Sequence, residues 1–202
     1  NGLPVAGVFA NGTALSNNGE EIKLEDPQGN TVKQFTYDDD IPWPAADGTG
    51  ASMVLMRPET NPDPALPENW RASIATGGNP GSDDALRFTG NPSDDADHDG
   101  LTRLMEYVLG TSDAAPNTVD LSPTRGEEAG EPFIEVTVTR QLNADDASFT
   151  PQWATNLSNW STTDITLHDR TLGSNGAVTE VWRLSGAAAG DRVQIRCSTT
   201  QR

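Results

Sequence analysis

Residues 95–106 read Asp-Ala-Asp-His-Asp-Gly-Leu-Thr-Arg-Leu-Met-Glu. This is the pattern D-x-D-x-D-G-x5-E of a calcium-binding loop, without a mismatch. Calcium is a hard cation that takes six to eight oxygens at roughly 2.3–2.6 Å, and each position here has a reason in that chemistry. Asp95, Asp97 and Asp99 offer carboxylates from alternate positions of a winding loop. Gly100 permits the sharp turn that brings the chain back round the ion. Leu101 offers its backbone carbonyl, which frees its side chain for packing. Arg103 has no acceptor, so a water is expected at that vertex. Glu106, one helical turn further, chelates with both oxygens. A solvated acidic loop at a helix start is also favoured by the helix dipole. That arrangement, however, requires neither the glycine nor the glutamate in register. Asp94 adds a nearby charge outside the expected ligand set of Asp95, Asp97, Asp99, Leu101 and Glu106.

Other chemistry is sparse. His98 lies inside the acidic loop and His168 follows a strand pattern. There is no G-x-S-x-G elbow, no H-E-x-x-H pair and no phosphate loop. Cys197 alternates with Val193 and Ile195, the pattern of a buried structural thiol. Adjacent acids such as Asp83-Asp84, Glu127-Glu128 and Asp145-Asp146 read as solvated pairs. The chain is therefore read as non-catalytic. Indole faces stack on sugar rings, and Trp160, which follows a turn, is the candidate for such a ligand platform. Trp153 and Trp182 share strand faces with apolar neighbours and read as core.

The elements that must position the loop are mostly strands. Ile22 and Leu24 alternate with polar residues, Asp26 to Asn30 form a turn, and Val32, Phe35 and Tyr37 follow, so residues 21–37 predict a β-hairpin. Residues 4–9 and 51–57 predict short strands. Prolines at 58, 62, 64 and 67 forbid a regular helix there. Residues 76–94 are rich in Gly, Pro, Ser and Asp and read as a boundary. Leu101, Leu104, Met105 and Val108 make one apolar stripe, which predicts a helix over 101–109 stopped by Gly110. Residues 110–132 read as loop. The last segment predicts five strands: around 134–138, 149–153, 165–167, 178–184 and 193–197.

Thirty acidic residues against thirteen basic ones give a net charge of −17. A phosphate backbone needs a basic face, so nucleic acid is not an expected partner, and anionic lipid is disfavoured in the same way. No apolar run reaches the ~20 residues of a membrane span. Lys23 and Lys33 are the lysines, and excess acid with little lysine suits a saline extracellular setting where screening relieves self-repulsion. Asn1-Gly2-Leu3 opens neither a charged nor an apolar leader, so the expectation is a removed leader or a fragment.

Two resemblances extend this reading. Residues 7–81 resemble the C-terminal half of a bacterial lamin-tail domain, an immunoglobulin-like β-sandwich. The matching residues are Leu15 to Glu20, Ile22-Lys23-Leu24, Tyr37, Trp43-Pro44, Gly50 through Leu55, Asn69-Trp70 and Pro80-Gly81. That family begins with further strands, so the resemblance implies an open sheet edge or a borrowed strand. The acidic loop, preceded by Gly90, Pro92 and Ser93 in place of an incoming helix, resembles the half-hands of dockerin-like calcium modules. With Glu106, Tyr107, Gly110 and the stretch Trp153 to Trp160, residues 84–202 are similar to the C-terminal β tail of large secreted or surface proteins of environmental bacteria.

The expected fold is all-β: a partial lamin-tail sandwich over 1–82, a calcium-bearing loop and short helix over 83–117, and a small sandwich-like domain over 118–202. The expected role is a calcium-stabilised, non-catalytic structural or accessory region, secreted or at the cell surface, with other domains or subunits as partners. The alternatives are a polysaccharide-binding module serving a catalytic domain elsewhere, or an enzyme with its site at the domain junction.

Overall fold

The computed structural model describes residues 14–186, 189 and 192–202. The described residues form an all-β fold in which one short helix, Arg103–Leu109, is delimited. The chain divides into two compact units, Asn1–Asp84 and Ala85–Arg202. Of the expected connector, residues from Ala85 onward belong to the second unit. The strand expected over 4–9 lies outside the described residues.

In the first unit, β1 (Glu20–Glu25) and β2 (Thr31–Tyr37) form the antiparallel hairpin. Its turn is held by Asp26, whose Oδ1 accepts from the backbone N–H groups of Gln28 and Asn30. A second antiparallel pair joins β3 (Met53–Leu55) to β4 (Trp70–Ala72). The proline-rich stretch between them forms two 3₁₀ turns, Pro58–Thr60 and Pro67–Asn69, each starting on its proline. Aromatic residues make the core of this unit. Trp70 stacks on Phe35 at 5.7 Å and meets Trp43 at 6.4 Å, and buried Tyr37 donates its hydroxyl to the Ser16 carbonyl. Arg71, itself buried, pairs with Asp84. Among the described residues both sheets are two-stranded, so each strand leaves one edge unpaired.

The second unit is sandwich-like. A four-stranded antiparallel sheet has the order β5 (Thr124–Glu128), β6 (Glu131–Gln141), β9 (Ala177–Ser185), β8 (Ile165–Leu172), while β7 (Ala147–Ala154) pairs with β10 (Gln194–Gln201). Period-two alternation places Ile134, Val136 and Val138 of β6, and Val178, Glu180 and Leu184 of β9, on the buried face. The core joins Ile134, Ile165, Leu184 and Ala189, with Trp153, Trp182, Val193 and Ile195 against it. The two tryptophans are half-buried instead of fully buried. Each reaches the margin of the core, where its indole N–H finds an acceptor: the Thr163 carbonyl for Trp153 and the Glu180 carboxylate for Trp182.

Strand β5 falls where the sequence predicts loop. β5 reads Thr-Arg-Gly-Glu-Glu and has no apolar alternation. It is made by the tight turn at Ala129-Gly130 and by the ladder to β6, with the Phe133 ring lying over Gly126.

The helix, α1, runs Arg103–Leu109. It starts two residues later than the apolar stripe predicts, because Thr102 is its cap: the Thr102 hydroxyl accepts from Met105 N–H at 3.3 Å. Gly110, at φ 74°, ends it in the left-handed region. Leu104 and Val108 are buried with Ala144 and Ala147, and Phe88, Tyr107 and Phe149 pack round them. Asp146 ties three segments to this core, accepting from Phe88 N–H and the Tyr107 hydroxyl through its side chain and from Arg202 N–H through its carbonyl. Burial and the Asp146 carboxylate push the Tyr107 phenol far above its ordinary pKa, so it stays a donor.

Candidate metal centre

The acidic loop winds back on itself just before α1. His98 at φ 63° and Gly100 at φ 93° both occupy the left-handed region, which a β-carbon disfavours at Gly100. The result is that Asp95, Asp97 and Asp99 each bring one carboxylate oxygen within 4.8 Å of the others. Glu106 lies outside that group, on the first full turn of α1, and is 1% exposed.

The hydrogen bonding of these carboxylates is one-sided. Asp95 Oδ2 accepts from Gly100 N–H at 3.1 Å, and Asp97 Oδ1 from Asp99 N–H at 3.2 Å. Glu106 Oε1 accepts from the Asn117 side-chain amide at 3.1 Å. The other oxygens, Asp95 Oδ1, Asp97 Oδ2 and Glu106 Oε2, are buried without any hydrogen-bond partner. Only one further side-chain atom among the described residues, Gln194 Oε1, shares that condition. Buried acceptors left unpaired are costly and rare, and two of these three lie in the Asp group that could hold a metal ion. Asp99 is held at both oxygens, by Leu101 N–H at 2.8 Å and by Asn117 N–H at 2.6 Å.

Electrostatics point the same way. Burial, and then the charges of Asp97, Asp99 and Asp113, raise the Glu106 carboxyl above its usual range. A cation among these oxygens would remove the repulsion. The donors are all oxygen, which suits a hard divalent cation and not the softer metals that prefer nitrogen and sulfur.

Sequence reasoning missed two participants, Asp113 and Asn117, which come from the polar segment after α1. Asp113 accepts from Arg103 Nε and Nη2, both at 2.6 Å, which turns the guanidinium at the ninth loop position onto a carboxylate of its own. No spacing rule flags these residues, since folding alone brings them to the loop. Leu101 and Met105 are half-buried and line an open groove of about 540 Å³, shared with Val119, Phe149 and Ile195. This accounts for their half-exposure within the apolar stripe.

Trp160 is separate from this centre. It follows β7, and the Arg196 guanidinium lies over its ring at 4.2 Å. One face of the indole is thus committed to a cation–π contact within the unit.

Cys197 is half-buried on β10, and burial together with the Glu180 charge pushes its thiol up to about 12. The thiolate is the nucleophile, so Cys197 should react with Ellman's reagent at pH 8 at least tenfold more slowly in the folded chain than in urea. Equal rates would contradict this burial.

No helix among the described residues is long and apolar enough to cross a membrane. Comparison with protein-family models, with curated proteins and with solved structures finds no match to the chain.

Proposed function

We propose that this chain is a calcium-stabilised, non-catalytic structural region of a secreted or cell-surface protein. The observation that carries the reading is the set of three buried, unpartnered carboxylate oxygens on Asp95, Asp97 and Glu106. Calcium bound there neutralises the loop and fixes the start of α1. Leu104 and Val108 hold that helix on the β core of the second unit, so ion binding acts on the packing of the unit itself. With no incoming helix to open, the role is structural and not sensory. The acid excess and the resemblance to the tails of large secreted bacterial proteins support the extracellular setting, where millimolar calcium matches a weak site.

Thermal melts in EGTA and in millimolar calcium test this, with magnesium as control. At a hundredfold excess over the dissociation constant, calcium should stabilise the second unit by about 2.7 kcal/mol. Glu106→Gln should remove most of that shift. An unchanged melting temperature in wild type, or an equal shift with magnesium, would reject the reading.

A further inference from the structure

We propose that Asn117 is the positioning residue of this centre: its side-chain amide holds Glu106 in the ligating orientation, and calcium affinity depends on it. The inference rests on the reading that the loop takes calcium. Each carboxylate with a free buried oxygen has its other oxygen pinned by an N–H donor. For Asp95 and Asp97 the donors are backbone groups of the loop itself, Gly100 and Asp99. For Glu106 the short contact comes from outside the loop, from Asn117 Nδ2 at 3.1 Å, and the Thr111 hydroxyl at 3.4 Å is marginal.

The orientation of the Asn117 amide follows from its surroundings. Its Nδ2 also faces the Ala115 carbonyl at 2.7 Å and the Ser112 carbonyl at 3.0 Å. Three acceptors within 3.1 Å of that atom place the nitrogen, and not the oxygen, there, and its two N–H groups are shared among them. The backbone N–H of the same residue reaches Asp99 Oδ2 at 2.6 Å. Residue 117 therefore engages the fifth and the last ligand positions of the loop at once. A glutamate freed from this hold regains its rotamers and must surrender them on binding. Outer-shell groups that orient a ligand are typically worth 10–100-fold in metal affinity.

The test is calorimetric titration of calcium into the full chain, as wild type, Asn117→Ala, Asn117→Ser and Pro116→Ala, with melts in EGTA alongside. Serine keeps a small polar group in the turn but does not reach Glu106. Pro116→Ala perturbs the same turn and leaves the amide in place. Asn117→Ala and Asn117→Ser should each weaken binding at least about tenfold. Pro116→Ala should stay near wild type, and the EGTA melts of all four should remain close together. Wild-type affinity in both Asn117 variants would overturn the inference while leaving calcium binding intact. So would an equal loss in Pro116→Ala, which would make the turn and not the amide responsible. A wild-type chain that takes up no calcium would overturn this inference and the reading beneath it together.

Discussion

Glu180→Ala is expected to destabilise the second unit by about 3–5 kcal/mol, since it leaves buried positive charge without its partner. Glu180 is 0% exposed and sits between two arginines. Arg140 grips it with Nε at 2.9 Å and Nη2 at 2.7 Å, Arg170 approaches at 3.0 Å, and the Trp182 indole N–H donates at 3.2 Å. Burial alone would raise this carboxyl, but the charges of Arg140 and Arg170 and their hydrogen bonds outweigh it and hold the pKa below its ordinary value. A carboxylate depressed in the folded state contributes stability that is present above the unfolded pKa and lost as pH falls through the folded one. Urea denaturation of the variant should therefore show both the loss at neutral pH and a flatter decline on acidification. Replacing all three charges, Arg140→Met, Glu180→Leu and Arg170→Met, should cost less than Glu180→Ala, because no orphaned charge remains. A single variant within 1 kcal/mol of wild type would show that water reaches these arginines.

Leu104→Ala should cost about 2–5 kcal/mol through the cavity it leaves among Ala144, Ala147, Phe88, Tyr107 and Phe149. Leu104 is 4% exposed, and Glu106 stands between it and Val108 on the same seven-residue helix. A helix this short has little stability of its own and exists through its docking. Under the calcium binding proposed above, loosening Leu104 should also shrink the stabilisation the ion confers. Met105→Ala is the control, for Met105 faces the groove and is half-exposed. If the two variants unfold at the same urea concentration, the docking of α1 does not hold the unit together.

The grouping of Asp95, Asp97 and Asp99 was readable from the chain because it is local. Alternate carboxylates and a glycine turn need only short-range backbone geometry to draw together. The all-β character was readable for a similar reason, since alternation in residues 134–138 and 178–184 reports which face meets a core without saying what that core is. The sequence was silent where partners come from far along the chain. Asn117 lies 18 residues from Asp99 and 11 from Glu106, and a polar loop residue carries no periodic signal. β5 became a strand only through pairing with β6. The placement of Arg170 shows the limit most clearly. Strict alternation from Ile165 and Leu167 would turn Asp169 inward and Arg170 outward. The ladder between β8 and β9 instead shifts between Leu167 and Asp169, with His168 as the extra residue. That one-residue bulge brings Arg170 opposite Glu180, and the buried carboxylate gains its second cation. Such a choice depends on the energy of the assembled sheet, where an unpaired Glu180 would be prohibitive, and no local pattern encodes it.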